Sequence, residues 1–122
     1  MNPSEIIKIC DEYNIVNYFI KNNLVNVIGD VDISYRNLDE IPLNFGYING
    51  GFNCSHNNLK TLKGAPKYIK GYFNCSHNDL ETLEFFPDCK GYIHINNPCY
   101  GETSNMTSKQ IRLHYKLKDI LK

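Results

Sequence analysis

Gly51-Phe-Asn-Cys-Ser-His-Asn57 returns as Tyr72-Phe-Asn-Cys-Ser-His-Asn78, 21 residues further on. A period of about 20–25 residues is the signature of a solenoid, in which one small unit is stacked on copies of itself. Aligning outward from this pair exposes two further copies. Gly29-Asp-Val-Asp-Ile-Ser34 lies 21 residues before, and Gly91-Tyr-Ile-His-Ile-Asn96 follows after 20. Each copy holds an alternating apolar pair: Val31/Ile33, Phe52/Cys54, Phe73/Cys75 and Ile93/Ile95. Alternation over so short a span predicts a strand with one face buried. Leu38, Leu59 and Leu80 follow at a fixed offset, then Ile41, Leu62 and Leu83 three residues later. In the last copy Tyr100 takes the place of the first of these leucines.

This spacing resembles the leucine-rich repeat, with an Asn three residues after the strand and a Leu two after that. Asn57 and Asn78 hold that position, whereas Arg36 and Pro98 replace it in the outer copies. A buried amide there can satisfy backbone groups exposed where the chain leaves the sheet. Its loss at the ends is typical of terminal repeats, which have one neighbour only. Gly64-Ala-Pro66 and Pro87 in the return segments argue against long helices, so the convex side is expected to be extended or turn-like. Gly50, Gly71 and Gly91 mark the bend into each next strand, where a missing Cβ eases the turn.

The flanks do not repeat. Pro3 to Tyr13 places Ile6, Ile7, Cys10 and Tyr13 on one stripe of a short helix that Pro3 opens. Tyr18/Ile20 and Val25/Val27 alternate around Asn22-Asn23, which reads as a hairpin. Near the other end Thr107 and Gln110 form a capping box, followed by an apolar stripe of Leu113, Leu117, Ile120 and Leu121. The fold expected is therefore α+β: a short leucine-rich-repeat solenoid of about four parallel strands. Residues 1–28 form a helix and hairpin cap, 29–100 the repeats, and 101–122 a linker and helical cap, all within a single domain.

The arrangement over roughly residues 13–100 resembles small leucine-rich-repeat proteins of bacteriophages. Gly29–Ser34, Phe52–Leu59, Phe73–Leu80 and Gly64–Pro66 carry the likeness. It implies a virus-encoded protein that binds, and by binding inhibits, a host defence or metabolic protein.

Composition narrows the classes. The formal net charge is zero, 13 basic against 13 acidic side chains, so no overall field draws the chain to nucleic acid or membrane. No apolar run reaches the length of a membrane span, and the first residues lack the pattern of a signal peptide, so a cytoplasmic protein is expected. Five cysteines, odd in number and tied to the repeat, point to free thiols.

The candidate binding residues are those that alternate with the buried ones and face out along the strands. They are Asp30, Asp32 and Ser34; Gly51, Asn53 and Ser55; Tyr72, Asn74 and Ser76; and Tyr92, His94 and Asn96. Tyr72 and Tyr92 stand out, because Tyr anchors many protein interfaces. His56 and His77 are placed at the rim, where the strands end. Cys54-x-His56 with Cys75-x-His77 invites a zinc site, but the Cys occupy inward positions and the His do not, so no metal is expected. Asp30 and Asp32 share a face as general acid–base work or cation binding wants, yet they sit on an end strand with no evident cleft, and the reading preferred is that their charge discourages edge-to-edge pairing. Catalytic signatures are absent.

The function expected is a non-enzymatic protein-binding module without cofactor, monomeric or a weak homo-oligomer. Two alternatives stand beside it. Lys109, Arg112, Lys116, Lys118 and Lys122 give the C-terminal helix a basic surface suited to nucleic acid, although one Tyr is the only aromatic among them. A self-assembling structural component would use an exposed sheet edge or a cap.

Overall fold

A computed structural model of the chain describes residues 1–97, 101–102 and 106–120. Pro98, Cys99, Tyr100, Leu121 and Lys122, and the side chains of Leu117, Lys118 and Ile120, lie outside that description. The elements begin with α1 (Pro3–Glu12), β1 (Tyr18–Lys21), β2 (Leu24–Val27) and β3 (Val31–Asp32). They continue with β4 (Phe45–Ile48), β5 (Phe52–Asn53), β6 (Tyr68–Ile69), β7 (Phe73–Asn74), β8 (Asp88–Cys89) and β9 (Ile93–His94). A short pair, β10 (Asn96–Asn97) and β11 (Gly101–Glu102), precedes α2 (Ser108–Ile120).

The repeat becomes a parallel-strand solenoid of about three turns. Strands β3, β5, β7 and β9 form a four-stranded parallel sheet. The return segments, expected to be only extended or turn-like, build a second sheet in the order β1-β2-β4-β6-β8. Its parallel strands hold as few as two residues, too short for periodicity to reveal, and take their register from the neighbouring turn (Tyr47↔Tyr68, Tyr68↔Asp88). The hairpin thus supplies the first two strands of this sheet rather than a separate lid.

Between the sheets runs one core. Val31/Ile33, Phe52/Cys54, Phe73/Cys75 and Ile93/Ile95 are all buried, as alternation requires. Phe45, Phe52, Phe73 and Phe86 form a continuous spine, with centroids 5.0, 6.2 and 5.3 Å apart and edge-on or tilted rings. Each buried ring contributes roughly 2–3 kcal/mol of hydrophobic stabilisation.

Asn57 closes the strand exit. Its Nδ2 donates to Ile33 O (3.0 Å) and Cys54 O (3.1 Å), while its Oδ1 accepts from Arg36 N (3.0 Å) and Leu38 N (2.9 Å). Asn78 repeats the arrangement one turn on, donating to Cys54 O (3.0 Å) and accepting from Leu59 N (3.0 Å). Arg36, in the equivalent place of the first copy, instead extends over the Tyr13 ring, 5.3 Å from its centroid.

Gly50, Gly71 and Gly91 serve close packing rather than a left-handed bend, since positive-φ glycines occur at Gly29 and Gly64. A Cβ on Gly71 would lie 2.7 Å from the Gly50 carbonyl, and one on Gly91 2.5 Å from Gly71 O. The same glycines hydrogen bond up the stack, Gly50 N to Gly29 O (3.0 Å) and Gly71 N to Gly50 O (2.9 Å).

The ends are capped. Asn2 accepts from Glu5 N (3.0 Å) at the start of α1, whose Ile6 and Cys10 are buried; Ile7, expected in the same stripe, is 45% exposed. Asn22 (φ 53°) and Asn23 (φ 61°) both take the left-handed conformation that a tight two-residue hairpin requires. At α2 the capping box forms, Gln110 N donating to Thr107 Oγ1 (3.1 Å) and Thr107 N to Gln110 Oε1 (2.9 Å). Ser108 Oγ accepts from Cys89 N (2.8 Å), so the hydroxyl covers the last strand of the second sheet. Ile111 docks fully buried, whereas Leu113 is 59% exposed. Leu113 thus stands outside the buried side of the helix, and the other residues of its expected stripe lie outside the described side chains.

Candidate functional site

The outer face of the four-stranded sheet carries the residues expected there in straight rows. Register places Asp32, Asn53, Asn74 and His94 side by side. Asp30, Gly51, Tyr72 and Tyr92, the residues before β3, β5, β7 and β9, make a parallel row. Strands are ~4.8 Å apart, so the face is roughly 15 Å across.

Local hydrogen bonds fix these side chains. Asn53 Oδ1 accepts from Ser55 N (3.0 Å) and Ser55 Oγ (2.6 Å), and Asn74 Oδ1 from Ser76 N (3.0 Å) and Ser76 Oγ (2.7 Å). Asp32 Oδ1 repeats the pattern on Ser34 N (3.0 Å). The serines expected to face out are thereby drawn in: Ser55 and Ser76 are 3% and 2% exposed. With the amide oxygens committed, Asn53 and Asn74 leave their Nδ2 donors without a hydrogen bond among the described residues.

Tyr72 crosses Gly51. A Cβ added there would lie 1.9 Å from Tyr72 Cε1, so Gly51 exists as the bed for this ring. Asp30 Oδ1 accepts from Gly51 N (2.7 Å) beneath it. Burial, then the Asp30 and Asp32 carboxylates, push the Tyr72 phenol above its ordinary range. At the opposite end Tyr92 is exposed and meets the His94 ring edge-on, with centroids 6.2 Å apart. Seven of the expected residues (Asp30, Asp32, Asn53, Asn74, Tyr72, Tyr92, His94) therefore share one surface.

His56 and His77 do not. Each adopts a left-handed φ of 55° at the strand exit and joins a separate stack along the rim. Tyr35 lies on His56 (4.2 Å, 8°), and His56 on His77 (4.3 Å, 15°). Tyr35, with φ 56°, is a surface residue that the sequence reading passed over. Its signal was available, since it stands 21 residues before His56.

Cys54 and Cys75 lie in the core, apart from that stack. Burial pushes the Cys54 thiol up to about 12 and the Cys75 thiol well above its ordinary value, which favours the neutral form of both. Cys10, Cys54, Cys75 and Cys89 are all free. Among the described residues no three His, Cys, Asp or Glu are grouped to hold a metal ion, and no helix is long and apolar enough to cross a membrane.

No family model, curated protein or solved structure matches this chain. A groove of about 300 Å³ lies between Met1, Glu40, Pro42 and Lys63, on loops away from the four-stranded face. A second, of about 240 Å³, is lined by Lys109, Arg112, Leu113 and Lys116 on the outer side of α2.

Proposed function

We propose that the chain is a non-enzymatic protein-binding module whose partner lies on the four-stranded face. The observation that carries this reading is the pair of exposed rings, Tyr72 and Tyr92, on strands held by a fully packed core. Such rings bring large contact area at small entropic cost, and hot spots are enriched in Tyr. Extending the likeness noted in the sequence, we assign the chain to the leucine-rich repeats of bacteriophage. Its partner is then a host protein of the cytoplasm, inhibited by occupation. Affinity capture from host lysate with mass spectrometry tests this. The partner should be retained by the wild type and by a Lys67→Ala control just before β6, but lost with Tyr92→Ala. A partner captured equally by all three would refute the reading.

One observation favours a second reading. Lys109, Arg112 and Lys116 surround the exposed Leu113 on α2, an arrangement suited to phosphates. Nucleic-acid binding by this helix predicts a steep fall in affinity with salt and its loss in Lys109→Gln/Lys116→Gln. Self-assembly through the open edge of β3 predicts a mass that rises with concentration in light scattering.

A further inference from the structure

The four-stranded face is charged at one end only. Asp30 and Asp32 are exposed, and neither forms an ion pair among the described residues; the recorded bridge, Lys90 to Asp88 (4.0 Å), involves β8 of the other sheet. Each carboxylate accepts through Oδ1 from a backbone N–H, Asp30 from Gly51 N and Asp32 from Ser34 N, which leaves Oδ2 for an outside group. The Tyr72 ring, bedded on Gly51 in the Asp30 row, has its phenol within the field of both carboxylates. An aromatic face beside two unpaired carboxylates attracts a cation by ring quadrupole and by charge together.

We propose that this corner seats a Lys or Arg side chain on an extended segment of the partner protein. The cation lies over Tyr72 between Asp30 and Asp32, and the Nδ2 groups of Asn53 and Asn74 donate to the segment's carbonyls. This assignment rests on the reading of the face as the binding surface. Charge complementarity selects the occupant. A phosphate or an acidic side chain would be repelled by both carboxylates, and an apolar one would bury two charges without a partner.

Two conservative variants isolate the charge. Asp32→Asn installs the residue that Asn53 and Asn74 already present in the same register, and Asp30→Asn retains an acceptor for Gly51 N. The probe is a display library of random dodecapeptides panned on the immobilised full chain, followed by fluorescence anisotropy of labelled winners. Winners should share a Lys or Arg, lose about fivefold in affinity with either variant, and weaken in high salt. Replacing that residue by norleucine or citrulline should cost the same.

Winners without a basic position, or bound equally by Asp32→Asn, overturn the cation seat. If Tyr92→Ala still abolishes their binding, the reading of the face survives that failure. If no winner depends on Tyr92, the reading of the face falls and the seat with it. A mass that doubles with concentration in the wild type but not in Asp32→Asn makes a second copy the occupant, through a basic stretch such as Lys60–Lys70, and overturns the peptide assignment.

Discussion

Replacing Asn57 by Leu should remove a large share of the stability while leaving the apolar core volume nearly intact. Three backbone groups, Arg36 N, Leu38 N and Ile33 O, lose the partner that Asn57 gives them. Cys54 O keeps the Asn78 amide, and Ser55 O, the other carbonyl that accepts from Asn57, keeps Tyr35 N. A buried polar group left unpaired costs about 1–3 kcal/mol, and three give roughly 3–9 kcal/mol. Arg36 is exposed and Leu38 half-buried, so water reaches part of the site and the lower end, roughly 3 kcal/mol, is the expected loss. A domain of this length has on the order of 6–18 kcal/mol in total, so the effect is large. The chain has no Trp, so urea unfolding should be followed by far-UV circular dichroism. Asn57→Asp adds a sign test. The introduced carboxylate would be buried and face three carbonyls, Ile33 O, Cys54 O and Ser55 O, against two N–H donors, Arg36 N and Leu38 N; desolvation and the carbonyls together outweigh the donors and raise its folded pKa above the unfolded value. That variant should be most stable below about pH 4 relative to wild type and lose ground as pH rises through the folded pKa. A loss below about 1 kcal/mol for Asn57→Leu, or a flat pH response for Asn57→Asp, would refute the assignment of this amide as the keystone of the turn.

Further outcomes follow from single contacts. Gly51→Ala should displace the Tyr72 ring and weaken partner binding while costing no more than about 1 kcal/mol, because a side chain rather than backbone must move; unchanged Tyr72 ring shifts in NMR would contradict this. Cys54 and Cys75 should resist alkylation at pH 8 until the chain unfolds, and mass spectrometry of native samples labelled there would show otherwise. Their raised folded pKa values predict stability that is full below about pH 9 and falls above it, by up to about 1.4 kcal/mol per pH unit per thiol. For Cys54 that decline should end near its folded value of about 12, as alkaline unfolding curves would reveal. Ser108→Ala should cost about 1–2 kcal/mol and raise amide exchange at Cys89 selectively; uniform exchange changes would place the cap elsewhere.

Much of the fold was legible because the repeat copies its physics with its residues. Phe52 and Phe73, Cys54 and Cys75, and Asn57 and Asn78 occupy equivalent places, so one register explains all six. The second sheet was not legible. Tyr68–Ile69 and Asp88–Cys89 carry no alternation of their own and become strands only by pairing with the turn beside them. The exposure of Leu113 and burial of Ile111 escaped for a related reason: which side of α2 is buried depends on how Ser108 meets Cys89, a tertiary contact. On the face, alternation located Asn53 and Asn74 but could not show that their amides pull Ser55 and Ser76 inward. The rim stack was hidden differently. Tyr35 and His56 differ in name but share a left-handed backbone and a ring plane, so a search for identical letters separates them.

The column of Gly50, Gly71 and Gly91 also determines which kind of genetic change this molecule can absorb. A residue inserted within one turn throws a side chain against a carbonyl 2.5–2.7 Å away and breaks the column. Loss or gain of a whole 21-residue turn leaves every type of contact in place. The unit that can be added or removed without breaking the column is accordingly the whole turn. Each added copy would widen the outer face by one strand spacing, ~4.8 Å, with new letters free to vary beside Phe, Cys and Asn that are not.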